Sequence, residues 1–211
     1  MGQESQPVYF APKNPVSKKK IIAIFVILII IVGGGIGAFL GVKAYKEKKA
    51  AAEAASYAAN YSITFGNAIN SMISGASDAE SCGALIHDVW YNTIYEKSDP
   101  LTNKYTKNDL GRFNSDFNDS LAKLFKDSDY SSKITSIKSN MDTVADYMKR
   151  LQNPPEDQKN AYGAISDLYN CYLSLTGIVI NPTGSLSSYT DAFNKADTEF
   201  VNKYNMVKQY L

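Results

Sequence analysis

The hydrophobic pattern falls into two regimes. From Ile21 to Val42 the chain is apolar and carries no charge; from about residue 61 onward, apolar residues return every three or four positions. The first regime is 22 residues long, about 33 Å as a helix, enough to cross a hydrocarbon core of about 30 Å. A helix there satisfies its own backbone N–H and C=O groups, which lipid cannot do. Secretory signal cores run to about 7–15 residues, so the run is expected to be an uncleaved signal-anchor, a single transmembrane helix over 21–42.

The second regime predicts helices throughout. Residues 50–59 are mostly alanine, the best helix former, and no proline occurs from Val16 through Asp99. One long helix is therefore expected from the span to about Ser98, with residues 43–60 as a helical stalk. Phe65, Ile69, Met72, Ala76, Ala79, Ile86 and Trp90 mark its buried face. Asp99-Pro100 is expected to end it, and a polar loop to follow as far as Asp109. Phe113, Phe117, Leu121, Leu124 and Phe125 form one stripe, which Asp127 to Tyr130 should break. The strongest periodicity is Ile134, Ile137, Met141, Val144, Met148 and Leu151. Asn153, with Pro154 and Glu156 behind it, reads as the cap of the next helix. That helix should bury Ile165, Leu168, Tyr172, Leu175 and Val179. The turn 181–185 then offers Ser185 as the cap of a last helix through Leu186, Tyr189, Phe193, Ala196, Phe200, Tyr204, Val207 and Leu211.

The fold class is thus all-α. An N-terminal transmembrane helix continues into a stalk and an up-and-down bundle of four to five helices over 61–211. Core helices are expected near 61–98, 131–152, 155–180 and 185–210, with a helix over 110–126 covering one side.

Charge places the parts. The tail 1–20 carries Pro7, Pro12 and Pro15 among polar residues and reads as a disordered basic leader. Its Lys18, Lys19 and Lys20, with Lys43 and Lys46 beyond the span, suit anionic lipid headgroups. Residues 50–211 hold 14 basic and 19 acidic residues, a balance that does not suit nucleic acid. Four lysines stand on each side of the span, so lysine counting alone leaves the orientation tied. The acid-free Lys18–Lys20 triplet and the two cysteines favour an N-terminus inside and a C-terminal domain outside the cell.

Candidate chemistry is sparse. Gly33, Gly37 and Gly41 lie on one stripe of the span, which lets two helices approach and suggests a homodimer in the membrane. Cys82 and Cys171 fall on different helices, and a disulfide between them is expected in an oxidising compartment. His87, the lone histidine, has Asp88 beside it but no nucleophile in a recognisable motif, so catalysis is not expected. Asp116/Asp119 and Asp127/Asp129 read as surface and capping acids, not a calcium loop. The 15 tyrosines suit a bundle rim or a partner surface. Asn60-Tyr61-Ser62 and Asn118-Asp119-Ser120 fit the glycosylation acceptor pattern. No cofactor and no metal are implied.

Leu151-Gln152-Asn153-Pro154-Pro155, Ala161-Tyr162, Leu168-Tyr169 and Asn181-Pro182-Thr183-Gly184-Ser185-Leu186, with Tyr189, Phe193 and Asn194, form one further pattern. This stretch, about 151–194, resembles uncharacterised single-pass, membrane-anchored helical surface proteins of Gram-positive bacteria. The resemblance implies a surface-anchored protein and brings no activity, substrate or functional residue. The expected function is a membrane-anchored, non-enzymatic interaction or structural module at the cell surface, meeting the bilayer and a protein partner. The alternative is a ligand-binding sensor or accessory subunit of a membrane complex, which an apolar groove between the last two helices would favour. It would signal through a partner, because a 20-residue tail holds no signalling domain.

Overall fold

A computed structural model describes residues 43–211, with side chains from Lys48. The expected tail 1–20, span 21–42, glycine stripe Gly33, Gly37, Gly41 and headgroup lysines Lys18, Lys19 and Lys20 lie outside the described residues, as do the side chains of Lys43 and Lys46. Among the described residues no helix is long and apolar enough to cross a membrane. The chain divides into two compact units, Met1–Ala52 and Glu53–Leu211, and the bundle belongs to the second.

All regular structure in the described residues is helical: α1 Lys43–Ile94, α2 Asn103–Thr106, α3 Phe117–Lys126, α4 Ser128–Arg150, α5 Lys159–Ile180 and α6 Leu186–Val207. Short 3-10 turns precede α5 at Glu156–Gln158 and follow α6 at Lys208–Tyr210. Helix α1 is unbroken through Gly66, Gly75 and Gly83. Its expected face is inside: Phe65, Ile69, Met72, Ala76, Ala79, Ile86 and Trp90 are all buried. The same holds for Ile134, Ile137, Val144, Met148 and Leu151, and for Ile165, Leu168, Tyr172, Leu175 and Val179. Burying each large apolar side chain contributes about 1.5–3 kcal/mol, which makes these stripes the main source of bundle stability.

Residue pairs fix the packing. Tyr61 on α1 donates its hydroxyl to the Leu151 carbonyl at the end of α4 (3.3 Å). Gly75 meets Asn140 halfway along α4, and Cys82 lies near Lys133 close to its start. The pairs run in opposite order, so α1 and α4 are antiparallel. On α6, Tyr189 donates to the Gly83 carbonyl (3.3 Å), whereas Lys203 at the other end pairs with Asp167 of α5 (2.7 Å).

Three boundaries differ from expectation. Helix α1 stops at Ile94, well before Asp99-Pro100. Glu96 takes φ 49°, and Lys97 N–H donates to the Asn92 carbonyl (3.0 Å), a Schellman closure made without glycine. The break between α3 and α4 is Asp127 alone. Its N–H caps α3 on Lys123 and Leu124, and its carboxylate accepts from the N–H groups of Asp129 and Tyr130 to start α4. Asn153 does not cap α5. Pro155 precedes a 3-10 turn, and α5 begins at Lys159 with no side-chain cap. The consecutive prolines hold the chain extended there, so helical geometry begins only after them. Ser185 does cap α6, in a capping box with Ser188.

Candidate functional site

The segment between α1 and α3 was expected to be a polar loop as far as Asp109 and a helix from 110 onward; the helix begins only at Phe117, and Phe113 lies in a turn that side-chain hydrogen bonds shape. Asn108 folds residues 107–113 into a small hairpin. Its N–H donates to the Arg112 carbonyl (2.8 Å), its side-chain oxygen accepts from Leu110 N–H (3.0 Å) and Arg112 N–H (3.1 Å), and Gly111 takes φ 73°. Asn114 then ties the hairpin down, donating to the Tyr105 carbonyl and to Ser120 Oγ, both at 2.8 Å. Lys107 Nζ donates to Ser98 Oγ (2.9 Å), joining the hairpin to the turn that follows α1.

Two leucines are presented by these turns. Leu101 N–H donates to Asp99 Oδ1 (2.7 Å), as Leu110 N–H does to Asn108. Each leucine thus sits two residues after an Asx-turn side chain, held at a loop tip. They are 76% and 79% exposed.

The same end of the bundle, called apical here, carries a groove between the last turns of α1 and the first turns of α6. His87, Tyr91 and Tyr95 recur every four residues, with ring centroids 5.8 and 4.6 Å apart. With Ile94, Leu186 and Asp191 they line an open concavity of about 410 Å³. Tyr91, Ile94 and Tyr95 are 38–55% exposed. The floor is rigid. Trp90 stacks on Phe117 (5.1 Å) and packs against Tyr189 (5.7 Å), and the Ser185 capping box fixes where Leu186 emerges.

His87 is half-exposed and meets Asp88 (3.1 Å) and the Tyr91 ring. Asp116 and Asp127 cap α3 and α4, as their spacing suggested. The lysine of the Lys104–Asp127 pair (2.8 Å) holds the Asp127 carboxyl below its usual range. Among the described residues no group of three or more His, Cys, Asp and Glu could hold a metal ion. Tyr130, Tyr172 and Tyr189 are buried, and burial raises their hydroxyl pKa values well above normal. Burial, then Tyr162 and Tyr57, pushes Tyr61 up to about 12. Ser120 of the second glycosylation pattern is fully buried beneath Asn114.

No protein-family model, curated protein or solved structure matches the chain.

The expected disulfide is corrected. Cys82 and Cys171 are both free. Cys82 is buried among Tyr130, Tyr189 and Lys133, whereas Cys171, half-buried, has Asp167, Glu199 and Lys203 as its charged neighbours. The two thiols thus serve different helix interfaces, and burial raises both pKa values, which slows their oxidation.

A second concavity of about 410 Å³ lies between α4 and α5, lined by Met148, Lys149, Tyr162 and Tyr169. Neither concavity lies between the last two helices, where an apolar groove would favour a sensor. On the α1–α6 face, Glu80 and Asp197 bring two carboxyl groups together. Burial and a hydrogen bond to Asp197 push Glu80 up to about 7. Among the described residues no N–H or O–H group donates to the buried Asp197 Oδ1.

Helical periodicity did not point to Leu101 and Leu110. A signal was present as two Asx-x-Leu triplets, Asp99-Pro100-Leu101 and Asn108-Asp109-Leu110, set among turn residues.

Proposed function

We propose that this chain is a membrane-anchored, non-enzymatic helical interaction module whose apical end docks a protein partner. The observation that carries the reading is the apical surface itself. Exposed aliphatic and aromatic side chains gather there on turns that hydrogen bonds hold rigid, and contiguous exposed apolar surface marks interaction sites. Tyrosine suits such a surface because it joins apolar area to a polar tip.

The anchor rests on the uncharged run 21–42, which directly precedes the described residues of α1. The flanking lysines meet lipid headgroups, Gly33, Gly37 and Gly41 offer a contact for a second span, and the helical domain stands outside the cell.

The test is protease accessibility of the full chain in intact cells. Digestion of the helical domain without lysis is expected. Protection until the membrane is opened would overturn the outside placement. Extraction of the chain by alkaline carbonate would overturn the anchor.

A further inference from the structure

We propose that Tyr57 and Tyr61 form a latch through which the stalk end of α1 sets the last turn of α4 and, with it, one wall of the concavity between α4 and α5. The latch lies at the opposite end of the bundle from the apical groove, so it stands or falls apart from the docking reading.

Three observations carry it. The first is a pair of hydrogen bonds. Tyr61 donates to the Leu151 carbonyl (3.3 Å), and Tyr57, one helical turn earlier, donates to the Asn153 carbonyl. Their rings lie 6.4 Å apart, so the two bonds act side by side. The second is a want of local donors at the α4–α5 junction. Pro154 and Pro155 stand three and four residues after Leu151, where backbone N–H groups would close on its carbonyl, and proline has none. Helix α5 begins with no side-chain cap. The two tyrosines thus do from α1 what a cap does locally. The third is position. Met148, Lys149 and Gln152 line the concavity from α4, all within three residues of Leu151, and Tyr162 lines it from α5. Tyr162 is close enough to Tyr61 to help raise its pKa. The latch and the concavity therefore share the last turn of α4. Side chains 48–57 of α1 are exposed whereas Tyr61 is buried, so Tyr57 stands where the stalk passes into the bundle. Order in the stalk helix keeps its hydroxyl on Asn153.

The test uses the full-length chain in a neutral detergent, with ¹³C-methyl methionine and hydrogen–deuterium exchange read by mass spectrometry. Ala54→Pro breaks the helix one turn before Tyr57. In the parent it should raise exchange at residues 147–152 about fivefold, the factor that loss of one ordinary hydrogen bond gives. The Met148 methyl signal should shift with it, and that of Met72, deep in the core, should stay. In Y57F/Y61F, exchange at 147–152 should already be raised, and Ala54→Pro should add nothing. Such non-additivity marks a coupling that runs through the tyrosines. Y57F alone, changed at an exposed position, takes the place of the double variant if that variant does not fold.

No effect of Ala54→Pro at 147–152, an equal effect with and without the tyrosine hydroxyls, or an unmoved Met148 signal would each overturn the latch. A change that spreads to Met72 would show general loosening of the bundle and overturn it as well.

Discussion

Gly66 and Gly75 look alike in the sequence, and the bundle treats them differently. A Cβ at Gly66 would meet nothing within 4 Å. One at Gly75 would collide with the Asn140 amide oxygen and stand 2.6 Å from the Tyr172 hydroxyl. Those two groups share a 2.6 Å hydrogen bond, so neither can retreat without leaving its partner. Gly75→Ala should therefore cost about 1–3 kcal/mol, as overpacking does. Gly66→Ala should add about 0.4–1 kcal/mol by reducing the freedom of the unfolded chain. Urea denaturation of both variants checks the pair, and equal shifts would contradict the packing. The carboxyl pair gives a second test. A carboxyl whose folded pKa is raised from 4.5 to about 7 binds its proton more tightly in the folded state. Its contribution is fully present below about pH 4.5 and is lost as pH rises through about 7. Glu80 is exposed as a residue, so solvent screening reduces the effect to about 1 kcal/mol. Melting temperature should fall between pH 5 and pH 8, and Glu80→Gln should flatten that slope.

Helix ends depend on which backbone groups find partners. Beyond the end of α1, Glu96 stands in the left-handed region that side chains with a Cβ enter at a cost of about 1–2 kcal/mol. Glu96→Gly should relieve that strain and raise stability by about 1 kcal/mol in a thermal melt, provided the Schellman closure is kept. A loss of stability would show that the glutamate side chain outweighs the strain. The sequence offered both Asn153, with Pro154 and Glu156 behind it, and Ser185 as helix caps. Ser185 succeeds because Ser188 returns a hydrogen bond to its backbone, while the residues after Asn153 include two prolines that delay the helix. The apolar stripes themselves were legible, because a period of 3.6 residues is a local property that burial only reads out. The Asx turns beneath Leu101 and Leu110 were not, because a polar segment shows its turns only once each side-chain oxygen has chosen a donor.

Across the whole molecule, the two thiols report on packing. With both free, intact-mass analysis after alkylation of the denatured chain should find two modified cysteines, with or without reductant. In the native protein Cys171 should label first and Cys82 only on opening of the bundle, because Cys82 is 1% exposed. A species two hydrogens lighter with neither thiol labelled would restore the disulfide. The disulfide expectation failed for a general reason: two cysteines on buried-looking stripes carry no information on which helix faces which. Periodicity, alanine content and the Ser185 cap alone determined that the region beyond residue 43 is helical and which stripes are inside, because those signals act within a few residues of backbone. Tertiary structure decided that Gly75 and Gly83 are packed tight and Gly66 is not, that Cys82 and Cys171 part company, and that an apolar surface gathers at the apical end. Each of those outcomes depends on which distant elements meet, and side-chain spacing along one chain does not encode that meeting.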